Sequence, residues 1–179
     1  VYKRQDVVMV AAVGETAVSG VALVDSISVL VIQVLSAMAT GGAVVCSQYI
    51  GKKKPDQACR AAGQLVLITA ALSLLIAAVA FIGNRHLLRL IFGSVETAVM
   101  DNAQTYFWFT AMSYPFLALY NSGAALFRSM GNSKVSMKVS LAMNAINVAG
   151  NALCVFGLHM GVEGVAIPTL VSRMFAAVV

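Results

Sequence analysis

SISVLVIQVLSAMATGGAVVCSQYIG, residues Ser26–Gly51, runs for 26 residues without an Asp, Glu, Lys or Arg. A helix needs about 20 predominantly apolar residues to cross a bilayer. Measured outward from this stretch, the same test finds three more gaps: Ala61–Asn84 with 24 residues, Asn102–Phe127 with 26 and Val139–Val162 with 24. Two partial runs flank the four, Val7–Gly14 at the start and Gly164–Val179 at the end, the latter interrupted only by Arg173. Strands are a poor alternative. A spanning strand needs about 9–11 alternating residues, whereas these runs are long, continuous and rich in Ala, Leu, Met and Gly. Helices satisfy their own backbone in lipid.

Composition agrees. The 179 residues are 60% apolar and 11% charged, with a mean hydropathy of +0.86, against about 25% charge in ordinary soluble domains. This excludes a disordered chain, a nucleic-acid-binding arm and a small disulfide scaffold, and makes a soluble enzyme domain a poor fit. No nucleophile–base pair, phosphate-binding loop or metal cluster is visible, so the chain is not read as an enzyme. Cys46, Cys59 and Cys154 lack CxxC spacing and sit in or beside apolar runs, where cysteine behaves as a small hydrophobe.

The fold class expected is an all-α integral membrane protein. The segments fall at 6–14 (the end of a first helix), 17–50, 57–84, 96–128, 133–157 and 162–179, within one unit covering 6–179. Neither end looks like a domain terminus, and the chain reads as a fragment with truncated first and sixth helices. Val1-Tyr2-Lys3-Arg4-Gln5 places two cations where that first helix should be apolar, and residues 1–5 read as a non-native scar. Small residues such as Gly41-Gly42 and Gly123 suit close helix approach. The glycine pair is expected to bend the second span, and Pro115 and Pro168 to kink theirs.

Charge sets the expected orientation. Lys52, Lys53, Lys54, Arg60, Arg128, Lys134 and Lys138 lie in two connections that must share a side, whereas the opposite connections hold only Arg85 and Arg89 among lysines and arginines. The positive-inside rule places loops 51–60 and 128–138 in the cytoplasm. The net charge of +5 is therefore a topological signal, and no nucleic-acid partner is expected; the partner read from composition is the lipid bilayer.

Polar side chains inside the spans are expensive and mark candidate sites. Asp6 lies eight residues before Gly14, about 12 Å below the outer boundary. Asn151 and Asn147 lie six and ten residues before Gly157, roughly 9 and 15 Å deep on one helix face. Thr169 lies eight residues after Gly161, again about 12 Å down. One carboxylate, two amide oxygens and a hydroxyl in one layer suit a small hard cation such as Na+, or a carboxylate-borne proton. The competing reading is interhelical hydrogen-bond glue, worth about 0.6 kcal/mol on average. Asp25, about one turn into the second span, reads as an interfacial acid facing water, with an accessory proton carrier as the alternative. Arg173 reads as packing or snorkelling, Asn144 as glue, and Tyr106, Phe107, Trp108 and Phe109 as an interfacial aromatic belt.

Four segments carry a family likeness. TGGAVVCSQYIGKKKPDQACRAAGQ (Thr40–Gln64), FRSMGNSKVSMKVSLAMNAINVAGNALCVFG (Phe127–Gly157), GVEGVAIPTLVSR (Gly161–Arg173) and DVVMVAAVGETAVSGVAL (Asp6–Leu23) resemble, in order, parts of the multidrug and toxic compound extrusion (MATE) transporters. The resemblance implies a twelve-helix protein of two six-helix lobes, of which this chain is part of the N-terminal one, its missing partner being the C-terminal lobe. It implies a multidrug efflux antiporter of the plasma membrane, driven by Na+ or H+, with no cofactor beyond that ion and small organic cations as substrates. It matches Asp6, Asn147, Asn151 and Thr169 to the cation-coupling site of that lobe. Two alternatives stand: a lipid-linked oligosaccharide flippase of the same superfamily, whose cavity would carry cations, and a non-transporting membrane scaffold.

Overall fold

The structure, a computed structural model, describes residues 14–93 and 96–179. Five helices follow one another: α1 (Glu15–Gly51), α2 (Pro55–Phe92), α3 (Thr97–Ser129), α4 (Ser133–Ala152), which runs on into a π-type turn at Leu153–Gly157, and α5 (Glu163–Val178). Among the described residues there is no strand. The helices stand where the second to sixth segments are expected. Segment 6–13, Asp6 and residues 1–5 lie outside the described residues.

Local chemistry sets the helix ends. Pro55 opens α2 at a position whose N–H would be unused, and Asp56 faces the positive end of the helix dipole. The helix stops at Gly93, whose φ of 69° suits glycine and whose N–H donates to the Arg89 carbonyl at 2.8 Å. α2 therefore continues about two turns beyond residue 84, where the sequence places the end of its span. A charge gap measures the hydrocarbon crossing; the helix itself passes through Arg85, His86 and Arg89 and ends only where the backbone requires it.

α3 is the hub and packs against each of the other four helices. Tyr106, Phe107 and Tyr114 of α3 are almost wholly buried and meet Val21 and Val24 of α1, Leu88 of α2 and Val165 of α5 in one core. Several of its polar side chains find partners on neighbouring helices. Ser122 pairs with Thr69 of α2 at 2.8 Å, and Tyr114 with Ser28 of α1 at 3.2 Å. This explains a departure from expectation. Among the described residues α1, α2 and residues Ser133–Gly157 are the helices long and apolar enough to cross a membrane. α3 has ample length, 33 residues, but spends its polar residues on neighbouring helices. In lipid, association rests on such packing and polar pairs rather than on a hydrophobic drive. The outward faces stay apolar, with Leu30, Leu67 and Ile82 exposed.

Gly42 serves the close approach expected of the small residues. α1 is continuous through it, and a β-carbon there would collide with the Leu65 side chain of α2. The residue therefore admits a neighbour. Pro115 and Pro168 both lie within unbroken helices. The cysteines are all free, Cys46 buried, Cys154 intermediate and Cys59 exposed; Cys59 thus departs from the small-hydrophobe reading, facing outward although its neighbour Ala58 is buried.

Candidate functional site

Helical spacing brings polar side chains from four helices to one place. On α1, Asp25, Ser28 and Ile32 fall at i, i+3 and i+7, one face. On α4, Asn144, Asn147 and Asn151 repeat at three- and four-residue steps. On α5, Thr169, Ser172 and Arg173 do the same. α3 supplies Tyr106 and Leu117. All of these except Asn151 line a cavity of about 290 Å³.

Three of the four residues expected to share a layer do so. The Asn147 side-chain amide donates to Thr169 Oγ1 at 3.0 Å, and the Asn151 amide donates to Asn147 Oδ1 at 3.1 Å. Thr169 Oγ1 in turn donates to the Val165 carbonyl at 2.9 Å. The result is a directional chain from Asn151 through Asn147 and Thr169 to backbone. Asn151 is fully buried and Thr169 nearly so. The approach of α4 to α5 here depends on Gly150, where a β-carbon would lie 2.7 Å from the Pro168 β-carbon. Asp6, the fourth residue, lies outside the described residues.

Asp25 is half-buried and turns toward the cavity rather than to bulk water. Its carboxylate accepts a hydrogen bond from the Tyr106 hydroxyl at 3.5 Å. The cavity therefore holds a carboxylate on one wall and the amide–hydroxyl chain on another. Of the two readings, packing or snorkelling, Arg173 takes the inward one: its guanidinium donates to the fully buried Ser113 hydroxyl of α3 and lines the same cavity. A cation in lipid is costly, and Ser113 offers it a polar partner inside the bundle. Asn144, read as glue, also lines the cavity.

The aromatic quartet does not act as one belt. Consecutive helical residues point about 100° apart, so Tyr106 and Phe107 enter the core while Trp108 is 54% exposed. Tyr106, Ser28, Ser172 and Arg173 were not identified from sequence as cavity residues. The signal was present: each stands three or four residues from another polar residue on its helix, or interrupts an apolar run.

The chain matches the MatE family model over residues 1–153. It is 29% identical over 177 residues to the uncharacterized transporter YisQ of Bacillus subtilis (strain 168), covering 97% of this chain and 38% of that protein. Among solved structures it is similar to MATE in the bent conformation, with a TM-score of 0.92 at 20% identity over 99% of this chain and 39% of that one. It is also similar to the inward-facing conformation of a multidrug resistance MATE family transporter of the MOP superfamily, with a TM-score of 0.91 at 20% identity over 97% and 39%. A third is a MOP superfamily transporter from Pyrococcus furiosus described as having a binding pocket of reversed polarity, with a TM-score of 0.91 at 18% identity over 99% and 39%. The chain spans about two-fifths of the length of these relatives. With its helical lobe, multi-pass character and match over most of its length, the chain belongs to the MatE family of membrane transporters.

Proposed function

We propose that this chain is the N-terminal lobe of a cation-coupled efflux antiporter that exports amphipathic organic cations across the plasma membrane. The observation that carries the reading is the cavity in which Asp25 faces the Asn147–Thr169 layer. Amide and hydroxyl oxygens are hard ligands for Na+, and a half-buried carboxylate can alternate between a proton and a cationic substrate. Asp6, in the layer by sequence depth, supplies the second carboxylate. Occupancy of this layer would favour one arrangement of the lobe and substrate the other, which is sufficient for exchange. Asn147 can present oxygen to an arriving ion by rotating its amide away from Thr169 Oγ1 and the Asn151 amide.

The test is Asp25→Asn in the full-length transporter, with ethidium efflux measured in cells. If the carboxylate alternates between ion and substrate, efflux falls at least tenfold while membrane insertion is unchanged. Unaltered efflux would remove Asp25 from the mechanism.

One observation favours a second reading. Arg173 is a cation on the cavity wall, and a flippase of the same superfamily would use such a group to hold a pyrophosphate. A single arginine already engaged by Ser113 and faced by an acid in the same cavity is a weaker anion site than a basic wall, so the antiporter is preferred. A scaffold without transport has no use for a cavity into which four helices each bring a polar side chain.

A further inference from the structure

A second polar pocket lies outside the transport cavity, between the far end of α2 and the start of α3. It measures about 560 Å³ and is lined by Asn84, Arg85, His86, Gln104 and Trp108. Its position is the end of α2 opposite the basic loops 51–60 and 128–138, where the charge gap closes at Asn84 and the helix leaves the hydrocarbon. Asn84 is only 8% exposed. Its Nδ2 donates to the Gln104 backbone carbonyl at 3.1 Å, which fixes the amide orientation, because a carbonyl can only accept. Its Oδ1 is then buried with no hydrogen-bond partner, and so is Gln104 Nε2. Leaving such groups unmet inside a protein is costly. One wants a donor, the other an acceptor, and both belong to residues lining the same pocket. Arg85 and His86 are exposed at its rim, and Trp108, packed edge-on against Phe81 with centroids 4.5 Å apart, forms a wall.

An apolar groove of about 620 Å³ adjoins the pocket and shares Ile82 and His86 with it. It follows Val79, Gly83, Leu87 and Leu90 along one stripe of α2, a rise of about 16 Å at the helical pitch. Ile82 and Leu90 are among the most exposed apolar side chains of the lobe, at 87% and 83%. A polar recess with cations at its rim, continuous with an apolar groove at the membrane boundary, matches an amphipathic anion rather than a soluble one.

We propose that this recess is a head-group site for an anionic phospholipid of the non-cytoplasmic leaflet. The phosphate diester would accept from Arg85 and from Gln104 Nε2, and a head-group hydroxyl would donate to Asn84 Oδ1, while an acyl chain runs inward along the Ile82–Val79 part of the groove, on the hydrocarbon side of Asn84. Phosphatidylglycerol has this combination of negative charge and donor; phosphatidylcholine lacks both the net charge and the donor.

The experiment is native mass spectrometry of the full-length transporter titrated with phosphatidylglycerol, phosphatidylcholine or soluble glycerol 3-phosphate. The expected result is at least tenfold tighter retention of phosphatidylglycerol than of either comparator. Arg85→Gln, at an exposed position where folding is not at stake, should lower that retention about tenfold, the loss of one charge-assisted hydrogen bond. Gln104→Leu should do the same. Equal retention of the two lipids, unchanged retention in Arg85→Gln, or equally tight binding of glycerol 3-phosphate would each overturn the proposal. Transport plays no part in this readout, so its outcome is independent of the antiporter reading.

Discussion

Thr169→Val separates an ion ligand from structural glue, because it replaces a hydroxyl with a methyl group of nearly equal volume. In the structure Thr169 Oγ1 accepts from the Asn147 amide at 3.0 Å and donates to the Val165 carbonyl at 2.9 Å. The second bond is local to α5, and that carbonyl keeps its place in the helix. The first joins two helices, and its loss leaves a half-buried amide donor unmet. A net loss of about 1 kcal/mol is expected, within the roughly 0.6–1.7 kcal/mol measured for interhelical hydrogen bonds in membranes. Loss of one oxygen ligand to a cation costs more, since hydrogen bonds and contacts to charged groups are worth about 1.5–3 kcal/mol, or tenfold and upward in half-saturation. The assay is paired: thermal unfolding of the purified full-length transporter in detergent, and ion-dependent efflux in proteoliposomes. Ser172→Ala is the control, since its hydroxyl also lines the cavity but bonds only the Thr169 carbonyl at 2.9 Å. The expectation is a small stability loss in Thr169→Val together with a tenfold or greater shift in ion half-saturation, and no such shift in Ser172→Ala. A stability loss with unmoved ion dependence would refute the ligand role and leave Thr169 as glue.

Two further outcomes test the fold and its orientation. Cysteines introduced at Lys53 and Ser133 should be labelled only from the cytoplasm and one at Glu15 only from outside, in a background lacking the exposed Cys59; labelling of all three from one side would end the topology. Gly20→Ala should destabilise the lobe by about 1–3 kcal/mol, because its β-carbon would lie 2.9 Å from the Ala103 backbone nitrogen and 3.0 Å from the Val99 carbonyl oxygen, which cannot yield as a side chain can. Gly63→Ala meets nothing within 4 Å and should be neutral or stabilising in the same thermal assay.

The gaps between charges were sufficient to locate the helices, because lipid forces each crossing to be long, apolar and helical. They were insufficient for the helix ends. α2 runs on past Asn84 through Arg85 and Arg89, since a charged residue ends a hydrocarbon crossing without ending a helix. Asn147, Asn151 and Thr169 were legible because depth along a helix is arithmetic, and three residues at similar depth on packed neighbours can meet. Azimuth was harder. Asp25 and Arg173 could each have faced water or lipid, and only the packing of α1 and α5 on α3 turns both inward. Tyr106 was grouped with Trp108 because they are near in sequence, although a helix sends them to different sides. Asn84 and Gln104 gave no signal in sequence, because their unmet groups arise only when α2 and α3 come together.

The central claim is that Asp6, at the depth of the polar layer by its position in the sequence, couples ion movement to export, with Asp25 alone insufficient. Its most direct test is efflux from proteoliposomes containing the full-length transporter, driven by a sodium gradient at fixed pH or by a pH gradient without sodium, with wild type beside Asp6→Asn. The account predicts efflux under at least one gradient in wild type and none under either in Asp6→Asn, with equal reconstitution of the two proteins. Normal efflux by Asp6→Asn under both gradients would contradict it.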